Sequence, residues 1–366
     1  SKKELETLIT NGIESTRYLA VDESRMLADP ARYYKGGKPD LQLFDKKLYE
    51  VNPDDKVAIA RAAAEEVLGK DERIISVDSS YSDGEGSSYR LISNGFEGES
   101  KSTWFSVSAS VSIKGEGEAR PQDYWYDSAL FYDKLTKTGI GAKALERVLR
   151  KLGQKKAKSG KYTMVVDPMN VGNLLSPMLS ALYGSALQQK NSFLMDKLDT
   201  KVASDLFTLR DEPHAIGANG SRYFDNEGVA TEPRTVFDKG VLKTYFIDTY
   251  NGKKMDIAPT ISAPSRLILT PGDKDLNGLV ADIKQGILVT GFNGGNSNSS
   301  TGDFSYGIEG FLIEDGKLTQ PVNEMNVTGN MVTLWNSLVA VGNDPQPNRS
   351  WQIPSLVFEG VDFSGL

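Results

Sequence analysis

One histidine and no cysteine set the limits on what this chain can do chemically. Zinc sites draw three or four ligands mainly from His and Cys, so with His214 alone a zinc enzyme is nearly excluded for this chain by itself. The missing thiols also exclude a cysteine nucleophile, a disulfide scaffold and any thiolate cluster. A carboxylate site for Mg²⁺ or Ca²⁺ stays open by composition. Its best local candidate, residues 78–86, fails the EF-hand pattern. With Gly84 at the sixth position Ser79 stands first, and Arg90 occupies the place of the closing glutamate. That stretch reads as a Ser/Asp/Gly turn. His214 follows Asp211-Glu212-Pro213 with no Gly-x-Ser-x-Gly elbow, and reads as a loop histidine making one hydrogen bond. The glycine-rich residues near 294 lack the Lys-Ser/Thr of a phosphate loop. Two carboxylates could hydrolyse a glycoside, but 49 acidic residues nominate no pair. Tyr124, Trp125 and Tyr126 could stack sugars; core or interface packing is the plainer reading. Residues 293–300, Asn-Gly-Gly-Asn-Ser-Asn-Ser-Ser, read as a mobile surface loop or a flap over a ligand.

The elements that would position these groups follow from periodicity. Leu5, Leu8, Ile9 and Ile13 predict an opening amphipathic helix that Pro30 must end, followed by a loop to about Val51. Asn52-Pro53-Asp54-Asp55 is a helix start, and that helix stops at Gly69. Phe105, Val107, Ala109, Val111 and Ile113 alternate with serines, which predicts a half-buried antiparallel strand. Leu145, Val148, Leu149 and Leu152 mark the next helix, and the lysine-rich residues 151–161 mark a solvated junction. Tyr162 to Val166 reads as a strand. The apolar stripe from Val171 to Leu182 reads as a helix that kinks at Pro177 or restarts with Ser176 as its cap. Beyond it the chain is β-rich. A three-residue hairpin loop is expected at Asp238-Lys239-Gly240 and a turn at Asp315-Gly316. A short helix holding Met331, Leu334, Trp335 and Leu338 is expected to end at Gly342-Asn343-Asp344.

The fold class predicted is α+β: a helix-and-antiparallel-sheet N-terminal unit, then a β-rich C-terminal domain with a few helices. The expected division is 1–50 as the remnant of an N-terminal unit, 51–157 as an α+β middle domain and 158–366 as the C-terminal domain. At 366 residues the chain exceeds what one hydrophobic core usually holds. Lys plus Arg number 42 against 49 acids, a net charge of -7, which argues against general nucleic-acid binding. No apolar run reaches the length of a membrane helix, and the start has no signal-peptide pattern. The first residue is Ser1 rather than Met, so a segment ahead of it is expected to be missing.

Several motifs together carry a family resemblance. They are Ser93-Asn94-Gly95-Phe96, Tyr124-Trp125-Tyr126-Asp127, Ser192-Phe193, Phe224-Asp225-Asn226-Glu227-Gly228, Gly302-Asp303-Phe304-Ser305-Tyr306-Gly307, Gly310-Phe311-Leu312-Ile313-Glu314-Asp315-Gly316, Pro321-Val322, Gly329-Asn330 and Val341-Gly342-Asn343-Asp344. In order and spacing the chain resembles the TldD/PmbA family, the so-called modulators of DNA gyrase, in its PmbA (TldE) branch. It departs from the family at the front, where members carry an α/β unit whose strands are absent here. The resemblance implies a pairing in which a TldD-type subunit bears a His-Glu-x-x-x-His zinc motif and a PmbA-type subunit completes a cytoplasmic, bacterial peptidase. The helix of that motif resembles residues 174–181, where Ser176 and Ala181 hold the histidine positions and Pro177 the glutamate position. No catalytic residue and no metal ligand is therefore expected in this chain, and zinc is expected only in a TldD-like partner. The paired fold would enclose an unfolded peptide, held by main-chain hydrogen bonds at strand edges. Asn293, Gly294, Asp303, Phe304, Gly329, Asn330, Asn343 and Asp344 are the expected peptide or partner contacts. Partners implied are the TldD-like subunit and a peptide or unfolded protein, in a homo- or heterodimer, away from membranes and without direct nucleic-acid binding. The alternatives are a homomeric binding or regulatory protein of the same fold and a carboxylate-dependent hydrolase.

Overall fold

The computed structural model describes all 366 residues. Helix α1 (Lys2–Thr16) begins with a reciprocal cap between Ser1 and Glu4 and ends well before Pro30. Leu5, Leu8, Ile9 and Ile13 do share one stripe, but each is more than half exposed, so nothing in the chain covers it. Short 3₁₀ turns at Pro30–Arg32 and Lys46–Tyr49 interrupt the loop that follows.

Helix α2 (Pro53–Glu65) starts as expected, with the Asn52 side chain accepting from the Asp55 amide. Strands β1 (Ile74–Ile92), β2 (Phe96–Ile113) and β3 (Gln122–Ala129) form an antiparallel sheet in that order, and α3 (Ile140–Leu149) joins α2 on one face. Phe105, Val107, Ala109, Val111 and Ile113 are buried there with Ala63, Val67, Ala144 and Val148. The start of α3 has no cap of its own. Instead the Glu66 carboxylate, just past the end of α2, accepts from the Gly139, Gly141 and Ala142 amides at 2.6, 2.8 and 3.2 Å. A Cβ on Gly141 would stand 1.9 Å from the Ala63 carbonyl oxygen, so glycine sets how closely the two helices approach.

Residues 78–86 are not a turn. They lie inside β1 and pair in register with residues 102–110 of β2. Cross-strand partners override their loop-forming tendency: Ser80 bonds Ser108 at 2.9 Å, and Gly84 leaves room for the Trp104 indole.

The rest of the chain begins with β4 (Gly160–Val166), α4 (Gly172–Ser180) and α5 (Gly184–Gln188). It continues through β5 (Leu209–Asp211), β6 (Arg234–Asp238), β7 (Val241–Leu242), α6 (Thr249–Met255), β8 (Leu267–Leu269) and α7 (Leu276–Ala281). It finishes with β9 (Gln285–Ser297), β10 (Asp303–Glu314), β11 (Lys317–Asn330), α8 (Met331–Asn336), β12 (Leu338–Val341), β13 (Trp351–Gln352) and β14 (Leu356–Ser364). Six strands order as β11-β10-β9-β4-β14-β12, and a further pairing of β11 with β14 closes five of them into a ring. A smaller sheet orders as β13-β8-β5-β6-β7. With β4–β9 and β13–β8 parallel and the other pairs antiparallel, both sheets are mixed and the class is α+β. The largest core joins the ring to α4, α8 and the smaller sheet through Met164, Leu175, Phe207, Phe237, Trp335 and Phe358. A second layer, with Leu279, Val280 and Ile283, packs α7 on the other face of the ring.

Three expectations change here, and a fourth is narrowed. Residues 293–297 complete β9, paired to β10 through Gly295–Tyr306, Asn296–Ser305 and Ser297–Phe304, so the loop is only the turn after Ser297. The hairpin at Lys239-Gly240 has two loop residues, both at positive φ, because Asp238 pairs directly with Val241. Leu338 belongs to β12, which intervenes between α8 and Gly342. Helix α4 carries Pro177 in its interior without restarting at Ser176. The carbonyl that loses its partner belongs to Asn173, an exposed residue that water can serve.

Candidate functional site

Helix α4 presents Leu174, Leu175, Met178 and Leu179 to the core and leaves Ser176 exposed and Pro177 half-buried. Ala181 caps the helix and is fully buried. These positions do not fit a zinc ion: one neutral hydroxyl faces solvent, the proline has no side-chain donor, and the alanine offers a methyl group. No group of three or more His, Cys, Asp or Glu side chains is placed to hold a metal. His214 makes a single side-chain hydrogen bond, Nε2 to Thr231 Oγ1 at 3.0 Å, and burial holds its pKa below the ordinary value. Tyr124 and Tyr126 are not core. They stack on the outer face of β3, with the Arg349 guanidinium 4.6 Å from the Tyr126 ring. Trp125 alone of the three packs toward the middle sheet's core.

The expected contact residues fall into two places. Asp303 pairs with Asn330 and Phe304 with Gly329 across β10 and β11, and Asn293 lies against Gly307 nearby. Asn330 caps α8 through the Val332 amide and donates from Nδ2 to the Thr301 carbonyl at 2.8 Å and to Asp303 Oδ1 at 2.9 Å. Those bonds, with Thr301, hold the Asp303 carboxyl below its usual range. The turn beside them is braced rather than loose. Phe193 N donates to the Ser299 carbonyl, and the Ser299 hydroxyl donates to Asn191 Oδ1 at 2.7 Å. Asn343 and Asp344 sit apart, between β12 and α7. Asp344 accepts from the Ser355 amide and hydroxyl and from the Leu276 amide, and Asn343 Nδ2 donates to the Asp273 carbonyl.

A cleft that periodicity could not find lies between the outer half of the β1–β2 hairpin and the loops around residues 220 and 264. Two adjoining cavities of about 400 and 340 Å³ share Ser221 and Arg222. Ser88, Arg90, Ser100 and Ser102 line the hairpin side. Arg222 is locked across the cleft, with Nε donating to Ser265 Oγ at 2.9 Å and Nη2 to the Ala263 and Pro264 carbonyls. Its charge is felt by Tyr183, two residues past Ala181, whose phenol burial pushes up. Behind the cleft, Asp225 Oδ1 accepts from the Glu227 and Val229 amides and Oδ2 from the Ser262 amide. Asp211 Oδ1 accepts from the Ser265 and Arg266 amides, and burial pushes its carboxyl up. Gly228, at φ +80°, closes the Asp225 turn where a Cβ would strike the Phe96 ring. Asp225 and Gly228 belong to a motif visible in the sequence; Arg222 has no spacing that would single it out.

The fold is a closed mixed-sheet domain beside a three-stranded α+β unit, and its sequence matches the domains of a metallopeptidase family. Residues 46–152 match the model of the PmbA/TldA metallopeptidase central domain and residues 159–365 that of the C-terminal domain. The chain belongs to the PmbA/TldA family. It is similar to the metalloprotease PmbA homolog of Haemophilus influenzae, with 29% identity over 98% of this chain and 81% of that protein. A crystal structure from Bacteroides thetaiotaomicron, described as a candidate modulator of DNA gyrase, superposes with a TM-score of 0.99 at 73% identity, covering 100% of this chain and 84% of that one. TldE from Thermococcus kodakarensis shares the fold at a TM-score of 0.81 and 22% identity, over 100% of this chain and 85% of that chain.

Proposed function

We propose that this chain is the PmbA/TldE-like, non-catalytic subunit of a zinc metallopeptidase complex, pairing with a TldD-like partner in the cytoplasm and helping to enclose unfolded peptide for cleavage. The observation that carries the reading is the donor chemistry of α4: exposed Ser176, Pro177 and buried Ala181 stand where the resemblance puts the zinc ligands and the general base. Bond cleavage then needs a Lewis acid from the companion subunit. The serine-lined cleft beside Arg222 supports a peptide-holding role, because hydroxyls and one fixed guanidinium can serve main-chain carbonyls with little preference for sequence. The outer edge of β1, unpaired along 19 residues, supplies a second place for main-chain pairing. Of the contacts expected from the sequence, Asn293, Gly294, Asp303, Phe304, Gly329 and Asn330 remain together at one end of β9–β11 as the proposed partner-facing rim.

Co-purification with a TldD-like subunit, metal analysis of each chain and a peptide-cleavage assay test this. The expected result is no cleavage by the chain alone, chelator-sensitive cleavage on adding the partner, and zinc carried by the partner. Chelator-sensitive cleavage by this chain alone would overturn the reading. A stable homodimer that ignores the partner would favour a homomeric binding protein, and metal-independent cleavage with a bell-shaped pH profile a carboxylate hydrolase.

A further inference from the structure

The junction between the middle unit and the C-terminal sheet holds a cavity of about 610 Å³, of the size small-molecule sites have. It shares no residue with the cleft beside Arg222. Its walls carry opposite charge. Lys143 and Arg147 of α3, with Arg150 at the helix end, line one side at helical spacing. Asp167 after β4, Asp275 before α7 and Asp344 after β12 line the other. Neighbouring groups leave the signs in place. On the α3 side Glu146 takes Lys143 and Arg150, Asp123 takes Arg147 and Lys151, and Glu309 takes Lys151. Four cations there meet three acids. On the other side Lys317 is the one lining cation against three acids.

Two groups line this space with bonding capacity to spare. Asp167 is 5% exposed; its Oδ1 accepts both Asn170 bonds, and no cation or side-chain donor reaches Oδ2. The Arg147 side chain, 15% exposed, gives Nε to Asp123 and lies 5.5 Å from the Trp125 ring. Its Nη atoms hydrogen-bond to nothing in the chain. Arg147 is close enough for its charge to act on Asp167, yet the two form no ion pair. Water can serve either group singly. A ligand with an ammonium at one end and a carboxylate at the other serves both. We propose that the cavity binds a short peptide through its free ends, the ammonium on Asp167 and the carboxylate on Arg147. Leu276, Val280 and Leu288 supply an apolar surface for its side chains. The acidic wall repels an inorganic anion or a nucleotide, and the α3 wall repels a polyamine. Bound there, the peptide ties the two units together. The site lies beside α7, on the face of the ring opposite α4, so it does not rest on the peptidase-complex reading.

Calorimetric titration of the whole chain with trialanine tests this, beside its N-acetyl and C-amide forms and free alanine. Saturable binding of trialanine is expected, weaker by about tenfold or more when either end is blocked and for alanine alone. Asp167→Asn should weaken trialanine by the same factor yet leave N-acetyl-trialanine unchanged, because the acetyl form has no ammonium to lose. Arg147→Met should do the same for the amide. Asparagine matches aspartate in shape, so the first variant keeps the test usable should the second fold poorly. No binding at millimolar peptide overturns the proposal, as does binding indifferent to the blocked ends. A preference for the free ammonium that survives in Asp167→Asn puts the peptide elsewhere and overturns it too. Alanine binding as tightly as trialanine overturns the assignment to a peptide.

Discussion

Asp167, at the end of β4, shows how one residue's surroundings set its chemistry. It is 5% exposed, and its Oδ1 accepts from the Asn170 amide at 3.0 Å and from Asn170 Nδ2 at 2.7 Å. Burial raises its pKa above the ordinary 3.8, against the opposing pull of the Asn170 bonds and the Arg147 charge. The folded protein thus binds this proton more tightly than the unfolded chain does. Its contribution to stability is greatest below pH 3.8 and declines as pH rises from there through the raised folded value. Asp167→Asn should remove that decline: urea midpoints of wild type and variant should diverge across this window and run parallel above it. Parallel curves throughout would show that the residue titrates normally. Residue-scale features of this kind are poorly legible in sequence. His214 was readable as a loop histidine with one bond because its neighbours form a turn-like segment, whereas Asp167 looks like any other acid until the fold buries it.

Elements were legible wherever a repeating pattern reached across them. The serine/apolar alternation of β2 and the capped start of α2 appear where the pattern puts them. Failures cluster where composition speaks for a loop and a neighbouring strand overrules it, as at residues 78–86 and 293–297. Both segments are rich in Gly, Ser and Asn or Asp, and both are strands because a partner supplies the hydrogen bonds their side chains do not favour. Gly310 shows how tightly one such pairing is built, since a Cβ there would stand 1.8 Å from the Leu288 carbonyl oxygen. Gly310→Ala should cost about 3 kcal/mol by forcing β9 and β10 apart. Urea unfolding would read this as a lower midpoint, and an unchanged midpoint would mean that the strands shift freely.

At the scale of the whole molecule, the middle unit and the C-terminal sheet are joined by a buried charge cluster. Lys151 lies in the lysine-rich stretch expected to be solvated, yet its side chain is only 11% exposed. Its Nζ lies 3.2 Å from Asp123 on β3 and 2.7 Å from Glu309 on β10, and Arg147 adds a second contact to Asp123 at 3.2 Å. Removing the lysine would leave two largely buried carboxylates short of a partner. Lys151→Met should therefore destabilise the protein by about 3 kcal/mol. It should also speed tryptic cleavage after Lys155, Lys156 or Lys158 in the connecting segment. Unchanged cleavage would show that the two units are held together by other contacts.

What the amino-acid order determined by itself was the chemistry withheld from this chain and the family to which it belongs. Both rest on residue identity: one imidazole and no thiol withhold the usual zinc ligands, and the motif positions hold Ser176, Pro177 and Ala181 however the chain folds. Only the tertiary structure decided which polar residues meet. Arg222 crosses a cleft to Ser265, and Asp303 and Asn330 brace a turn, although each pair is far apart in sequence and carries no periodic signal. The physical reason is that hydrophobic periodicity records which face of an element is buried, while the contacts between side chains of different elements depend on how those elements pack.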